Sequence, residues 1–406
     1  MRKHGFIDFV VSTYTLVTVL LAISSVKIYY ALSRPLFESG PDADVYIPAI
    51  KDFGEKSFFS SEIFGQPAYP PGYAFFLSLS PRFLENWVPA AQVLQILLFS
   101  FATWVFYTLV KKSFGALYGF IAFVLISFSP AWVVANGEAM YESVYVSFAV
   151  FSLYFLLKEN NIITHHRFLF YQFIGGLLLG YLVVIHPRAM LFVIAYLIYL
   201  YLSKSVSFQD FSLSLFGFLI PYILFNLRNF IAEGFFTLSG SLWAATTANE
   251  FLAGCNQVSC VIQRAINDPI SFLIQVFTNV LHYWSPYSGP MERATWYHNI
   301  SGFVFLGREF GNSILSPAGL LSIFVCSLLF LSWVLGSIKL LNVNKNMNIL
   351  FVMIVLGTII NDALVYGDSR HRLVAMPFML PAYAATSLWV YISIKNYRSK
   401  SHGLRK

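Results

Sequence analysis

The sequence predicts an all-α polytopic membrane protein with about ten transmembrane helices and a long first outer loop that carries interfacial helices. Three observations lead there. Of 406 residues, 57% are hydrophobic and only 11% charged, whereas a soluble domain carries roughly 25% charged residues. The 42 Phe and 24 Tyr suit a lipid-facing surface with aromatic belts at its edges. The apolar residues also fall into long runs, and a helix needs ~20 of them to cross the hydrocarbon core.

The runs cover residues 7–30, 88–110, 116–134, 143–157, 168–185, 189–202, 211–227, 318–338, 349–365 and 373–394. The sixth is short, and only His186-Pro187-Arg188 parts it from the fifth. Lys and Arg of short connections stay on the cytoplasmic side. Arg2 and Lys3 precede the first run. Lys111 and Lys112 follow the second, Lys158 and Arg167 the fourth, Lys204 the sixth, and Lys339 and Lys345 the eighth. Lys395, Arg398, Lys400, Arg405 and Lys406 end the chain. Every second connection is basic, so ten spans with both termini cytoplasmic fit. That bias explains most of the +7 net charge and speaks against nucleic-acid binding. The first run is too long for a signal peptide, and no small-x-small site precedes the loop, so a retained anchor is expected.

The outer connections then hold nearly all the remaining charge. They are the first loop (residues 33–86), residues 136–142, His186-Pro187-Arg188, a long segment (residues 228–317) and residues 361–372. Arg370, His371 and Arg372 break the positive-inside bias, which asks for a local reason. The first loop concentrates Asp42, Asp44, Asp52, Glu55 and Glu62 and is too long for a plain connector. Residues 45–53 have helical apolar spacing and read as a short interfacial helix. Asp42 and Asp44 either cap it or face a cavity. Pro67, Pro70, Pro71 and Gly72 break the chain before residues 73–79, a piece too short to span.

Glu138 and Glu142 stand at the start of the fourth run, one helical turn apart on one face; they cap that start or line a cavity. Gly175, Gly176 and Gly180 permit close helix packing. Arg188, beside Pro187, either snorkels to the interface or binds an anion. In the long segment, residues 272–281 are apolar but short, as in a reentrant or surface helix. Trp284, Tyr287, Trp296 and Tyr297 suit either sugar faces or an interfacial belt. Cys255 and Cys260 share that segment, where an oxidising compartment permits a disulfide, and Cys326 reads as a buried filler. Paired Cys-x-x-Cys motifs and His-rich runs of a metal site are absent, as are the P-loop, dinucleotide fingerprint and nucleophile elbow. Polar residues gathered on one face, over spans almost free of charge, fit a site at the membrane–water boundary better than an ion pathway.

Several segments resemble, in order, those of the GT-C glycosyltransferases, the class of the protein O-mannosyltransferases and the lipid A aminoarabinose transferase. Asp42-Ala-Asp-Val-Tyr46 is similar to the first-loop Asp-x-x-x-Tyr, whose Asp is the catalytic carboxylate. Tyr69-Pro-Pro-Gly-Tyr73 resembles the Pro-rich piece that follows. The stretch Gly180 to Arg188, Asn226-Leu-Arg-Asn229 with Gly234, and Arg370-His-Arg372 before Pro377 resemble later segments. The chain departs from the aminoarabinose branch at Ala43, where that branch has Glu, and at Tyr69, where it has Lys.

The resemblance implies one integral GT-C-type membrane domain over residues 1–406. Its implied activity moves a sugar from a polyprenyl-phosphate-linked donor to a hydroxyl of a lipid, glycan or protein acceptor, with inversion. Such a donor is already activated, so the enzyme must deprotonate the acceptor and stabilise the leaving phosphate. Asp42 is the expected base, with Asp44 supporting it. Arg370 and Arg372 lead as phosphate-binding residues, followed by Arg228 and Arg188. Tyr46, Tyr69, Glu138, Glu142, His186, Asn229 and His371 are expected to line the cavity. A divalent metal could assist at the phosphate, although no dedicated ligand set stands out. The expected location is the bacterial inner membrane, with the active site facing the exterior. A flippase or transporter of lipid-linked sugars would instead show mid-span charges and an inverted repeat. A polymerase or ligase using polyprenyl-diphosphate-linked glycan would also need outer arginines, but the acidic first loop favours a monosaccharide transferase.

Overall fold

The computed structural model describes residues 13–33, 36–39, 42–64, 69–157, 165–203, 208–234, 263, 265–284, 317–364 and 372–403. Their regular structure is α-helical, and each of the ten apolar runs has a helix. In chain order the helices are α1 (Thr13–Leu32), α2 (Leu36–Ser39), α3 (Ala43–Glu55), α4 (Gly72–Leu77), α5 (Leu79–Phe83), α6 (Trp87–Phe114), α7 (Ala116–Phe128) and α8 (Pro130–Ala135). They continue with α9 (Glu142–Leu156), α10 (His165–Ile185), α11 (Ala189–Ser203), α12 (Phe208–Glu233), α13 (Pro269–Trp284), α14 (Pro317–Leu341), α15 (Lys345–Leu364) and α16 (Arg372–Gly403). By length and composition α1, α6, α10, α12, α14 and α16 can cross a membrane. The chain is a multi-pass membrane protein. Helices α7, α9 and α11 have 13, 15 and 15 residues and reach about 20–23 Å, short of a ~30 Å core.

Three boundaries differ from the sequence reading. The third run is two helices, because Pro130 has no N–H to continue α7 and instead opens α8. The fourth run becomes helical only at Glu142, which leaves Glu138 in the preceding turn rather than on the same helical face. The seventh runs on to Glu233, so Arg228 and Asn229 lie in its last turns and do not open a loop. Residues 272–281 lie inside α13, whose Trp284 packs on Trp333 of α14 with ring centroids 5.7 Å apart. The proposed Cys255–Cys260 pair lies outside the described residues, as do Tyr287, Trp296 and Tyr297. Cys326 is buried within α14.

Small residues bring the helices together, as the glycine spacing suggested. A Cβ on Gly176 or Gly180 of α10 would strike the carbonyl of Ser214 or Phe218 of α12, and one on Gly217 would strike Phe173. Polar side chains in these interfaces bond internally: Ser214 Oγ donates to Gln172 Oε1 at 3.0 Å, and Ser152 Oγ to the Gly175 carbonyl at 2.9 Å. Charges that the sequence reading passed over lie within the runs themselves, Lys27 among them. Lys27 of α1 is buried, its ammonium 5.1 Å from the centre of the Phe99 ring.

The first loop folds over one end of this bundle. Tyr46, Ala49, Ile50 and Phe53 form the buried side of α3, the expected interfacial helix, while Asp44, Lys51 and Glu55 face outward. Phe58 and Phe75 then pack on Phe225 of α12, at 5.2 and 5.4 Å. Because α10 and α12 meet backbone to backbone, Gly180→Leu is expected to force them apart and destabilise the protein by roughly 1–3 kcal/mol. Thermal unfolding in detergent reads the loss; an unchanged midpoint would contradict the packing.

Candidate active site

Residues 136–141 interrupt the helices between α8 and α9, so their backbone groups need partners from elsewhere. Two glutamines of α6 supply them. Gln95 Nε2 lies 2.9 Å from the Glu138 carbonyl and 3.0 Å from that of Asn136. Gln92 Nε2 donates to the Gly137 carbonyl at 2.9 Å. The other side of Gln95 acts on the first loop, where Oε1 accepts the Tyr73 hydroxyl at 2.8 Å. Tyr73 in turn packs edge-on against Tyr46, with centroids 4.7 Å apart. Gly72 lets this happen, because a Cβ there would lie 2.6 Å from the Ile185 nitrogen. Tyr181 Oη donates to the Gly72 carbonyl at 2.7 Å. The Pro-Pro-Gly-Tyr motif is thereby pressed on the end of α10, next to His186.

Asp42 stands at the start of α3, half-buried. Its main-chain carbonyl accepts the Val45 and Tyr46 N–H groups at 3.1 and 2.9 Å, but its side chain makes no capping bond. Burial holds the Tyr46 and Tyr73 hydroxyls well above the ordinary tyrosine pKa, and the negative charges of Asp42 and Glu142 reinforce this at both. Asp42, Glu142, Tyr46 and Tyr73 thus share one electrostatic neighbourhood. Tyr141 also acts on Tyr46, and Glu138 on Tyr73. Glu138 and Glu142 are fully buried.

Tyr141 joins this acidic group to a basic one. Its ring stacks on His186 with centroids 4.5 Å apart, and its hydroxyl lies 3.4 Å from Arg188 Nη1. The Arg188 N–H donates to His186 Nδ1 at 3.2 Å, which fixes the imidazole above the start of α11. Carboxylates and a guanidinium so placed at one end of the bundle can accept a proton on one side and hold an anion on the other.

The remaining expected residues divide. Asp44 is exposed on α3, and Tyr69 is half-buried where the Pro-rich piece begins. Arg228 is fully buried and faces the first loop. Nε and Nη2 donate to the carbonyls of Phe58 and Ser60 at 3.2 and 3.1 Å, and Nη1 to Asn229 Oδ1 at 3.0 Å. The guanidinium also lies over the Phe53 ring, 5.5 Å from its centre. Arg372 opens α16 within electrostatic reach of Tyr283, Tyr383 and Cys326, neighbours different from those given for Asp42. Arg370 and His371 lie outside the described residues. Among the described residues no group of three or more His, Cys, Asp or Glu converges as metal ligands. The sequence reading missed Tyr73, Tyr141, Gln92 and Gln95. Two glutamines three apart on one face of an apolar span were the available signal.

Residues 68–227 match the family model described as dolichyl-phosphate-mannose-protein mannosyltransferase. No curated protein matches the chain. The apo oligosaccharyltransferase of Archaeoglobus fulgidus superposes with a TM-score of 0.53 at 14% identity, covering 97% of this chain and 52% of its own. The same archaeon's AglB, in complex with an inhibitory peptide and a dolichol-phosphate, gives 0.50 at 13% identity over 96% and 52% of the two chains. ArnT from Cupriavidus metallidurans bound to undecaprenyl phosphate gives 0.46 at 12% identity over 92% and 78%. The chain spans about half the length of the archaeal enzyme. Its fold is of the GT-C kind, and the expected resemblance is met in a family model and in the fold.

Two measurements check this site. Arg228→Gln removes the guanidinium fork that reaches both loop carbonyls, so it should expose residues 57–60 to proteolysis; protection equal to wild type would contradict the tie. Since the raised hydroxyls keep their protons when folded, their contribution to stability is complete below the unfolded pKa of ~10 and lost as pH rises beyond it. Tyr46→Phe and Tyr73→Phe should each soften that alkaline loss, and an identical unfolding profile above pH ~10 would contradict it.

Proposed function

We propose that this chain, built on a GT-C fold, is a membrane glycosyltransferase that moves a sugar from a polyprenyl-phosphate-linked donor to a hydroxyl of a lipid, glycan or protein acceptor. The observation that carries the reading is Asp42, half-buried at the start of α3, beside an acidic and aromatic cluster that Tyr141 connects to Arg188. The likeness of residues 68–227 to the mannosyltransferase family supports the same class.

In the proposed step Asp42 takes the proton of the acceptor hydroxyl. The acceptor oxygen attacks the anomeric carbon, and the bond from that carbon to the phosphate oxygen breaks with its electron pair leaving on the lipid phosphate. Arg188 meets the charge released there, where a desolvated guanidinium is most effective. Attack opposite to departure gives inversion. Glu142 and the tyrosine pair shape the acceptor side, and His186 holds Arg188 in place. Arg228 acts as a positioning residue through the first loop, with Asn229 behind it. Arg372 supplies a further phosphate contact from the start of α16, the role of phosphate binding extends to Arg370 and His371, which lie outside the described residues, and Asp44 and Tyr69 border the entrance. The proposed setting is the bacterial inner membrane, with both termini cytoplasmic and the site on the exterior face, the whole chain forming one integral domain. A lipid-linked sugar transporter fits less well, since the polar groups gather where helices end.

Purified protein given a labelled polyprenyl-phosphate sugar tests this directly. Asp42→Asn should insert normally, still bind donor, and lose transfer by on the order of 100-fold or more, the scale of a positioned base. Arg188→Gln should weaken donor binding as well. Wild-type transfer by Asp42→Asn would remove Asp42 from the chemistry.

A further inference from the structure

Where α6 begins, the first loop holds a groove of about 580 Å³ that the transfer reaction leaves unused. Lys51 and Glu55, one turn apart on the outward side of α3, form one wall; Arg82 and Glu85, at and just beyond the end of α5, form the other. All four side chains are exposed. None is in an ion pair among the described residues, where the salt bridge present is Lys56–Asp52 at 3.1 Å. Arg82 is nonetheless held in position. Its Nη2 donates to the Phe53 carbonyl at 3.0 Å, and the guanidinium carbon lies 5.9 Å from the centre of the Phe75 ring. Trp87, the first residue of a span, closes the end of the groove, the position at which Trp marks a membrane interface. Beside it Phe83 is 79% and Leu84 50% exposed.

Two cations and two carboxylates make the groove neutral overall but strongly polarised. A simple anion would meet the carboxylates, and a neutral sugar would bring hydrogen bonds but no charge to set against either pair. A ligand with one negative and one positive group satisfies both pairs, and the apolar rim at the head of a span offers a path for acyl chains. The volume is that of a small-molecule site. We propose that this groove binds the headgroup of a membrane phospholipid carrying a phosphate and a primary ammonium. The phosphate sits on Arg82 and Lys51 and the ammonium on Glu55 and Glu85, with the chains running past Phe83 and Leu84 into the bilayer. This site is independent of glycosyl transfer and stands or falls separately.

The test is native mass spectrometry of the delipidated full chain, supplied with phosphatidylethanolamine and phosphatidylglycerol in equal amounts. Wild type should retain phosphatidylethanolamine on the order of tenfold over phosphatidylglycerol, the scale of one charge-assisted hydrogen bond. Glu85→Gln should abolish that preference, whereas Arg82→Gln, which loses a contact to the phosphate both lipids carry, should lower the retention of both. The double variant Glu55→Gln/Glu85→Gln, left with two cations, should reverse it. Should Arg82→Gln fail to fold for want of its Phe53 bond, the exposed Lys51→Gln reads the phosphate side in its place. Equal retention of both lipids by wild type, a wild-type preference for phosphatidylglycerol, a Glu85→Gln variant that keeps the wild-type preference, or an Arg82→Gln variant that retains both lipids as wild type does would overturn the proposal. A photoreactive phosphatidylethanolamine should label the peptide containing Phe83 and Leu84; labelling confined to other peptides would overturn it too.

Discussion

A break in a helix inside an apolar bundle is tolerated only when its backbone groups find partners, and the candidate site depends on one such break. Residues 136–141 leave the helical path between α8 and α9, and Gln92 and Gln95 hold three of their carbonyls. The break puts Glu138 in a turn and Glu142 at the first position of α9. It also puts Tyr141 between the acidic first loop and the His186-Pro187-Arg188 corner. Gln95 has a second task, since its carbonyl oxygen takes the Tyr73 hydroxyl and so sets the register of the Pro-Pro-Gly-Tyr segment. A buried amide with both ends engaged is rigid, and that rigidity passes to the aromatic pair beside Asp42.

The arginines show how burial decides a role that charge alone leaves open. Arg228 is enclosed by loop carbonyls and an aromatic ring, which makes it a fastener between α12 and the first loop. Arg188 is nearly as buried but reaches a tyrosine hydroxyl within the acidic group, where a ligand phosphate would find it beside the carboxylates. Arg372 sits among other tyrosines at the head of α16. The contacts of Arg188 lead through Tyr141 to Tyr46, beside Asp42, and the proposed chemistry draws on it first.

Hydropathy made the helices legible, because each apolar run but the third is most of one helix, and the apolar spacing of residues 45–53 disclosed α3. The break at Pro130 was also visible, since proline cannot continue α7, yet length alone made residues 116–134 look like one span. The acidic half of the site could be read from Asp42, Glu138 and Glu142, and Arg188 from its proline corner. What holds these groups together was harder to see. Tyr73 and Tyr141 look like two more aromatics among many, and only their pairing with Gln95 and His186 in space distinguishes them. Arg228 illustrates the opposite difficulty: an arginine at a span's end invites a ligand, and nothing in its sequence neighbourhood shows that Phe58 and Ser60 return to meet it.

The central claim is that the early carboxylate and Arg188 enclose a single reacting centre. The most direct measurement is a structure with a non-hydrolysable polyprenyl-phosphonate sugar bound. The account predicts the phosphonate oxygens on the Arg188 guanidinium, with the anomeric carbon facing Asp42 across a gap that admits one acceptor hydroxyl at hydrogen-bond reach, about 2.6–3.2 Å from the carboxylate. A ligand seated wholly between Arg372, Tyr283 and Tyr383, with Asp42 shielded from its anomeric carbon, would contradict it.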